Sequence, residues 1–358
     1  MTIANNVIQD TDKTTSKTLL SHNNFDIIRL FAAFEVALKH SLVHLGFNNS
    51  FVDILGLLPG VPIFYFISGY LIYQSFVNAP NIKTFAFNRI VRIYPALVTC
   101  LLFSIALVIS VGFLPLSKLG TLSFFGWFLA QISFVQFYNP EFLRSFGTGS
   151  LNGSLWTISV ELQFYLLTPF IYFLARNRRW LWPILTALFV IPNIIFTAMP
   201  DEAIATKLLM VTFAPWVYMF LLGAWLSSRS DLQKKLLRFG LAKTSIAYVV
   251  ILLLSWVFGL SYFGNNLNPM AYCVLAALVF NLAFTNGGVA NKLLGRNDIS
   301  YGVYIYHMPI VNLMLFYGLT GAFWVAFVIG ATFMLAALSW KLIEKPALML
   351  KRSALRRV

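Results

Sequence analysis

Long stretches of apolar residues, separated by short polar segments, dominate the chain from residue 26 to residue 343. Eleven of these runs approach the length of a membrane helix, and each is continuous, without the alternation of a β-barrel strand. They lie at 26–46, 57–78, 93–115, 122–138, 155–175, 180–199, 208–228, 243–263, 268–285, 300–318 and 321–343. The pattern predicts an all-α, polytopic membrane helix bundle.

The basic residues decide how many of these runs cross the membrane, because Lys and Arg concentrate in cytoplasmic loops. Three basic clusters lie at residues 83–92, 176–179 and 229–243. All three can be cytoplasmic only if one run between 93 and 175 fails to cross. The run 122–138 is short and interrupted by glycine, serine and glutamine, so we expect a re-entrant or interfacial segment there. About 10 transmembrane helices follow, with both termini cytoplasmic.

Composition agrees with this assignment, since 59% of the residues are hydrophobic and only 11% are charged. The basic residues behind the net charge of +14 lie in short segments between apolar runs. This position indicates contacts with membrane lipids, and we expect no nucleic-acid partner. Cys100 and Cys273 fall inside apolar runs, so we expect no disulfide framework. We predict a polar cytoplasmic segment at 1–24, a transmembrane domain at 25–345 and a basic cytoplasmic tail at 346–358. No cleavable signal pattern precedes the first run.

The first apolar run carries several ionisable residues, among them Asp26, Arg29, Glu35, Lys39 and His40. A charge in mid-membrane costs about 2.5–3.5 kcal/mol, so these groups must face protein, water or one another. On a helix, Asp26, Arg29 and His40 share one face, and we expect Asp26 to hold Arg29. Glu35 and Lys39 lie on the opposite face with i,i+4 spacing, which predicts a self-neutralising pair.

Counting along the helices predicts the depth of the polar groups. Arg29 lies at the cytoplasmic mouth, and His40 lies ~16 Å further out, near the outer surface. Glu161 falls at the same depth as His40 when it is counted from the outer end of its run. The two residues suggest a proton-handling pair or a shared polar cavity, although Glu161 could also be a buried structural anchor.

A second group of ionisable residues is predicted at the cytoplasmic mouth. Arg89 and Arg92 lie one turn apart, just before Pro95, which suits the first turn of a helix. Together with Arg29 they could bind phosphate, although ordinary anchoring by positive charge is the alternative. Glu344 ends the last run on the same side and belongs with these arginines.

Two further features are suggestive. His307 falls in the inner half of its run, shortly before the helix-breaking Pro309, and a buried core histidine is one reading of it. The segment 147–154, GTGSLNGS, should be an outer, flexible and polar loop suited to a hydroxyl-rich ligand.

These observations leave two classes of function open. A group-transfer enzyme would bind a phosphorylated cytosolic donor at the arginines and activate an acceptor at His40. A proton-coupled transporter or exporter would use the same ionisable residues as a relay, although the chain has no inverted repeat to support this.

Six segments resemble, in order, the signatures of the acyltransferase-3 family of integral membrane O-acyltransferases, such as bacterial O-antigen acetylases. They are FDIIRLFAAFEVALKHS, FYFISGYLI, FNRIVRIYPA, SLWTISVELQFYLLTPF, ISYGVYIYHMPI and IEKP. The chain departs from the family pattern at Leu162, which replaces the second Glu of the Val-Glu-Glu-Gln block. We also expect no fused hydrolase-like domain after the last run.

The resemblance implies a bundle of about ten helices in a bacterial inner membrane. It implies acetyl-CoA as the cytoplasmic donor, a cell-surface or lipid-linked glycan hydroxyl as acceptor, and no metal. His40 would be the catalytic histidine, as a general base or as a transient acyl carrier. Apart from the resemblance, we expect Glu161 to orient the acceptor or the imidazole, and Asp26 to act by holding Arg29. Arg29, Arg89, Arg92 and Glu344 would form the donor site. Ser68, Tyr70 and Trp156, from two of the matching segments, are expected to contact substrate.

Overall fold

The computed structural model describes residues 23–47, 50–295 and 297–355, with side chains as far as residue 350, and the described ranges contain helices and no strand. The helices are α1 Phe25–His44, α2 Ser50–Leu55, α3 Gly60–Asn78, α4 Ile82–Ser110, α5 Leu122–Gln131, α6 Glu141–Arg144, α7 Trp156–Ala175, α8 Leu181–Leu188, α9 Val190–Ala198, α10 Ile204–Met210, α11 Val217–Ser227, α12 Ser230–Phe239, α13 Leu241–Val257, α14 Pro269–Phe284, α15 Val289–Leu294, α16 Ser300–Phe316, α17 Ala322–Ser339 and α18 Lys345–Leu355. A single π-helical turn, Trp340–Glu344, joins the last two. The all-α prediction is confirmed.

Fewer helices in the described part of the chain have membrane-spanning length than the sequence predicts. Within the described ranges, five helical stretches are long and apolar enough to cross a bilayer. A sixth is added if α12 and α13, which meet at an angle of 85°, form one span. The predicted count of about ten is therefore not confirmed. Several other apolar helices have only 10–17 residues, and α1 carries four charged residues within its 20.

The segment 122–138 contains the short helix α5, which has 10 residues. At 1.5 Å per residue it extends for ~15 Å, about half the thickness of the hydrocarbon core. Two turns follow it, and the side chains of Gln131 and Gln136 are buried. This helix alone is too short to cross the hydrocarbon core, and the re-entrant or interfacial placement of the segment stays a prediction.

Helix α4 begins earlier than the sequence predicts. Asn81 caps it by accepting a hydrogen bond from the backbone N–H of Thr84, and the helix then continues for 29 residues. Pro95 consequently lies inside the helix, and its predicted place in the first turn is wrong. The early start arises because residues 82–92, which separate two apolar runs in the sequence, are themselves helical. It places Arg89 and Arg92 on a rigid helix facing the bundle.

Helices α3 and α11 touch backbone to backbone through two glycines. A Cβ atom on Gly69 would overlap the carbonyl group of Phe220, and one on Gly223 would overlap that of Phe66. Small residues permit such close approach between membrane helices. This contact fixes the position of Ser68, the neighbour of Gly69, in the interior of the bundle.

Helix α1 is anchored just before its first residue and again in its middle. The side chain of Asn24 donates to the carbonyl of Thr285 at 3.1 Å and accepts from the N–H of Ala290 at 3.1 Å. Further along, Glu35 Oε2 accepts from the N–H of Gly60 at 2.9 Å. Because Gly60 begins α3, the carboxylate satisfies an N–H that has no partner within the helix.

The predicted ion pair between Glu35 and Lys39 is therefore wrong. The Glu35 carboxylate is turned towards the N-terminus of α3, and the Lys39 ammonium group lies beside Gly56 instead. Their i,i+4 spacing permits a pair, but a buried helix terminus offers the carboxylate a stronger partner.

The segment 147–154, predicted to be flexible, is fixed against α16. Asn312 donates to the carbonyls of Ser150 and Leu151 at 2.7 and 3.1 Å, and it accepts from the N–H of Thr148 at 2.9 Å. Pro309 does not break α16, although it leaves the carbonyl of Ile305 without its helical donor. Asn152 supplies that donor at 2.8 Å. The loop thus repairs the helix, and its polar residues are used in doing so.

Candidate active site

A cavity of about 250 Å³ opens between helices α1, α3, α4, α7 and α16. Its walls combine apolar side chains with the three arginines singled out from the sequence, Arg29, Arg89 and Arg92. Ser68 and Glu161 also line it. The structure thus brings five of the predicted site residues together around one space.

Two of the arginines share a carboxylate that the sequence analysis missed. Arg29 Nη1 lies 3.2 Å from Asp298 Oδ2, and Arg92 forms an ion pair with the same oxygen. The other oxygen of Asp298 accepts hydrogen bonds from the backbone N–H and hydroxyl of Ser300. Asp298 lies just before α16, so this cluster ties that helix to α1 and α4.

The predicted pairing of Asp26 with Arg29 is wrong, because Asp298 takes that place. Among the described residues, Asp26 forms no ion pair within 4 Å. Asp26 precedes Arg29 by three residues on one helix, but Asp298 reaches the guanidinium from the segment just before the facing helix α16. A carboxylate opposite the helix can contact both arginines at once, which Asp26 does not do.

Glu344 lies with the arginines, as the sequence predicts. Its side chain is buried, and Oε2 lies 3.9 Å from Arg92 Nη1. The hydroxyl of Ser339 donates to Oε1 at 3.3 Å. Arg92 is thus held between two carboxylates, and its guanidinium also lies over the ring of Trp340. Such a side chain is well fixed in orientation.

Arg89 differs from the other two arginines, since it has no carboxylate within ion-pair distance among the described residues. Its guanidinium lies over the rings of Phe85 and Tyr165, at 5.5 and 5.7 Å, and makes one long contact of 3.5 Å with the hydroxyl of Ser75. Its Nε is buried without a hydrogen-bond partner. This is a cation available to an anionic ligand.

The cavity wall contains more polar atoms without a protein partner. The hydroxyls of Tyr65 and Tyr301 and the side-chain oxygen of Asn88 are buried and make no hydrogen bond. Buried polar groups are normally satisfied by protein, water or ligand. Their concentration in the cavity that Arg89 also lines marks it as a site for a polar ligand.

Glu161 lies on the wall of this cavity and not beside His40. Its Oε1 accepts hydrogen bonds from Ser68 at 3.2 Å and from the hydroxyl of Tyr165 at 2.6 Å. Tyr165 in turn lies under the guanidinium of Arg89. The predicted pairing of Glu161 with His40 is wrong, because depth was counted from the ends of hydrophobic runs. Helix α7 begins beside the buried Tyr304, so Glu161 lies deeper in the bundle than that count implies.

His40 pairs with a histidine on another helix. His40 Nδ1 lies 2.9 Å from His307 Nε2, and the two rings are stacked with centroids 5.2 Å apart. His307 lies in the first half of α16 and is buried, as one of the sequence-based interpretations held, but its contact with His40 was not predicted. Helices α1 and α16 run parallel, so Arg29 meets Asp298 at one level and His40 meets His307 further along.

Tyr304 connects the histidine pair with the cavity. Its ring lines the cavity, and its hydroxyl lies 2.6 Å from that of Thr157. Its backbone carbonyl lies 2.7 Å from His307 Nδ1. His40 itself is not part of the cavity wall. The site therefore has two compartments, an arginine-bearing cavity and a histidine pair, which share Tyr304.

Tyr70 and Trp156, predicted to contact substrate, do not line the cavity. Tyr70 is buried against Phe25 and Phe280, and Trp156 packs against Trp216. Both are packing residues in this structure. Of the three residues predicted from those segments, only Ser68 reaches the cavity.

The signals for the missed residues were present but indirect. Asp298 is a lone acid after the basic Lys292 and Arg296, and His307 is nine residues further on, close to the eleven-residue spacing of Arg29 and His40. Matching spacings on two helices are expected when the helices run parallel. As for metal sites, no three His, Cys, Asp or Glu side chains cluster closely enough to hold an ion in the described ranges.

Comparison with known proteins gives a consistent family. The sequence model of a family described as "Acyltransferase domain" matches residues 22–343. Nodulation protein 10 of Rhizobium leguminosarum bv. viciae is 33% identical over 362 residues, which cover 94% of this chain and 95% of the relative. The O-acetyl transferase of Shigella phage Sf6 is 24% identical over 350 residues, which cover 90% of this chain and 95% of that protein.

A more distant relative is the peptidoglycan O-acetyltransferase of Listeria monocytogenes, 24% identical over 318 residues, which cover 80% of this chain and 50% of the relative. No solved structure is significantly similar to the chain. The match of the family model over nearly the whole chain includes the helices that carry the arginines and the histidine pair. The chain therefore belongs to this acyltransferase family, which includes membrane O-acetyltransferases, and it is an acyltransferase.

Proposed function

We propose that the protein transfers an acetyl group from cytoplasmic acetyl-CoA to a hydroxyl of a cell-surface or lipid-linked glycan. The observation that carries this proposal is the cavity beside Arg89, which holds an uncompensated guanidinium and several unpaired polar atoms. A thioester donor with phosphates at one end and amides along its arm could satisfy both kinds of group.

Arg89 is the residue best suited to a phosphate of the donor. A guanidinium that is free of carboxylates and stacked on aromatic rings keeps its charge and orientation for an anionic ligand. Arg29 and Arg92 are already balanced by Asp298 and Glu344. Their role is to shape and support the donor site, and the main anionic contact falls to Arg89.

His40 is the base in this scheme. It lies eleven residues beyond Arg29 on α1, a rise of ~16 Å, which a pantetheine arm could bridge. The acceptor hydroxyl passes its proton to His40 as its oxygen bonds to the acetyl carbon. The carbon–sulfur bond breaks, and the leaving thiolate takes that proton from His40 to give CoA–SH. Glu161, which is hydrogen-bonded to Ser68 and Tyr165, belongs to the donor side of the site in this scheme.

The acceptor class is suggested by the relatives. One of them is named as acting on peptidoglycan, which is a glycan. A glycan hydroxyl outside the cytoplasm also explains why the reaction occupies a membrane protein, since donor and acceptor are then on opposite sides. We accordingly place the protein in a bacterial inner membrane with both termini in the cytoplasm.

The test uses the full-length protein in lipid nanodiscs with radiolabelled acetyl-CoA, and measures release of free thiol and loss of label from the donor. His40→Ala should abolish both, whereas His44→Ala, one turn away on the same helix, should retain them. In cells, surface glycans carrying an added acetyl group should disappear with His40→Ala, as seen by mass spectrometry. Full activity of His40→Ala would refute the scheme. Donor-independent solute flux in proteoliposomes, without thiol release, would favour a transporter.

A further inference from the structure

The histidine pair belongs to a continuous line of hydrogen bonds. The carbonyl oxygen of Tyr304 lies 2.7 Å from His307 Nδ1, and His307 Nε2 lies 2.9 Å from His40 Nδ1. Each step joins atoms at ordinary hydrogen-bond distance. The line begins at a backbone carbonyl, which is only an acceptor, and this fixes where every proton must be.

The direction of the first bond determines that of the second. Because the carbonyl accepts, His307 Nδ1 carries a hydrogen atom and donates it. In a neutral imidazole the other nitrogen, Nε2, then has a lone pair. His40 Nδ1 must therefore carry the hydrogen of the second bond. The remaining nitrogen of His40, Nε2, is left with a lone pair that can take a proton.

A doubly protonated His307 would reverse the second bond, but its surroundings disfavour that state. Its side chain is fully buried, with 0% exposure. No described carboxylate lies within ion-pair distance of it. A buried charge without a counter-ion is strongly unfavourable. The neutral form of His307 is thus the one that fits this position in α16.

We propose that His307 is a positioning residue that holds His40 in the tautomer with a free Nε2 lone pair. This inference rests on the proposed role of His40 as the base. Without His307, His40 would exchange between two tautomers and two ring orientations. With it, one nitrogen is committed to the donor bond and the other is always ready as the base.

The hydrogen bond between His40 and His307 also assists the acyl-transfer step. The proton of the acceptor hydroxyl moves to His40 Nε2, the new carbon–oxygen bond forms, and the carbon–sulfur bond of the thioester breaks. His40 is then an imidazolium whose Nδ1–H still donates to the neutral His307. The proton on Nε2 passes to the leaving sulfur, and the pair returns to its starting state.

The kinetic test compares two substitutions at residue 307. His307→Gln can keep an oxygen acceptor near the position of Nε2, whereas His307→Phe keeps the ring shape and removes the acceptor. We expect His307→Phe to lower kcat by about 10²-fold or more with little change in the KM for acetyl-CoA. His307→Gln retains the hydrogen bond, so its kcat should stay within about tenfold of the wild-type value. The control is His44→Phe, whose ring lies 6.1 Å from that of His40 without a hydrogen bond to it.

A spectroscopic test does not depend on activity. In protein labelled with ¹⁵N-histidine, the nitrogen shifts of His40 should show Nδ1 protonated and Nε2 unprotonated, and His307→Phe should shift this population. If His40 carries its proton on Nε2 in the wild type, the inference is overturned even if acetyl transfer is confirmed. Equal losses in the Gln and Phe variants, or full activity of the Phe variant, would overturn it as well. If His40 shows the expected tautomer but the protein transfers no acyl group, the proposed function is refuted and the hydrogen bond between His40 and His307 stands.

Discussion

Arg29 and Asp298 join α1 to the start of α16, with Arg29 Nη1 3.2 Å from Asp298 Oδ2 across a separation of 269 residues. Asp298 also pairs with Arg92 through the same oxygen. One carboxylate therefore holds two guanidinium groups on different helices. The arrangement fixes the donor side of the site, and its single negative charge offsets one of the two positive charges that these arginines would otherwise offer a ligand.

Asp298→Asn should destabilise the protein and weaken the donor site together. The substitution leaves two guanidinium groups without their shared counter-ion, at a cost of about 2–3 kcal/mol, below the range for fully buried pairs because both arginines are partly exposed. We expect a lower thermal midpoint in nanodiscs and a raised KM for acetyl-CoA. The control is Asp231→Asn, which breaks the exposed pair with Arg229 and should change neither quantity measurably. Equal effects of the two variants would show that Asp298 has no special role.

The glycine contact between α3 and α11 gives a second prediction. Gly69→Ala would place a methyl group on the carbonyl of Phe220, so the two helices must separate. Because Ser68 moves with Gly69, its bond to Glu161 should be disturbed too. We expect a lower thermal midpoint and lower transfer activity. Gly330→Ala is the matched control, since a Cβ there meets no atom within 4 Å and alanine has the higher helix propensity. A Gly69→Ala protein as stable as Gly330→Ala would contradict the close contact.

The sequence specified one wall of the site well and the facing wall poorly. Helical periodicity correctly placed Arg29 and His40 on one face of α1, because that face follows from 3.6 residues per turn alone. Their partners Asp298 and His307 lie 269 and 267 residues away, and no local pattern states which helix lies opposite. The expected partners Asp26 and Glu161 were chosen by proximity in sequence or by counted depth, and both choices failed.

The depth of polar residues was misjudged, for a physical reason, when it was counted from the ends of hydrophobic runs. Counting assumes that every hydrophobic run begins at the membrane surface, but α3 begins at Gly60, beside Glu35 in the middle of α1. A carboxylate at its N-terminus lets a helix begin below the surface, because the free N–H groups are then satisfied. Such a start cannot be recognised from hydropathy, and it shifts Ser68 and the residues bonded to it towards the arginines.

This buried start makes Glu35 a testable structural residue. Glu35→Ala removes the acceptor of the Gly60 N–H and should cost about 1–2 kcal/mol, the usual range for losing a helix N-terminal acceptor. Glu35→Gln retains an oxygen acceptor and should cost less. The measurement is thermal unfolding in nanodiscs, with Lys39→Ala as the control. If Lys39→Ala were as damaging as Glu35→Ala, the two residues would form a pair after all, and the helix-start role would be wrong.

The three arginines of the cavity should not be equivalent towards the donor. Arg89 has no described carboxylate partner, so Arg89→Gln removes a positive charge that no described carboxylate neutralises. We expect the KM for acetyl-CoA to rise by about tenfold or more, as for loss of a charge-assisted contact, while the thermal midpoint changes little. Arg89→Lys should recover part of the affinity, because ammonium keeps the charge but loses the planar fork. Arg176→Gln, at an exposed arginine over Tyr172 and Phe173 outside the cavity, controls for loss of one positive charge. A specific phosphate contact must be lost at Arg89 and not at Arg176. If Arg89→Gln left the KM for acetyl-CoA unchanged, or if Arg176→Gln raised it equally, Arg89 would have only an ordinary membrane-anchoring role.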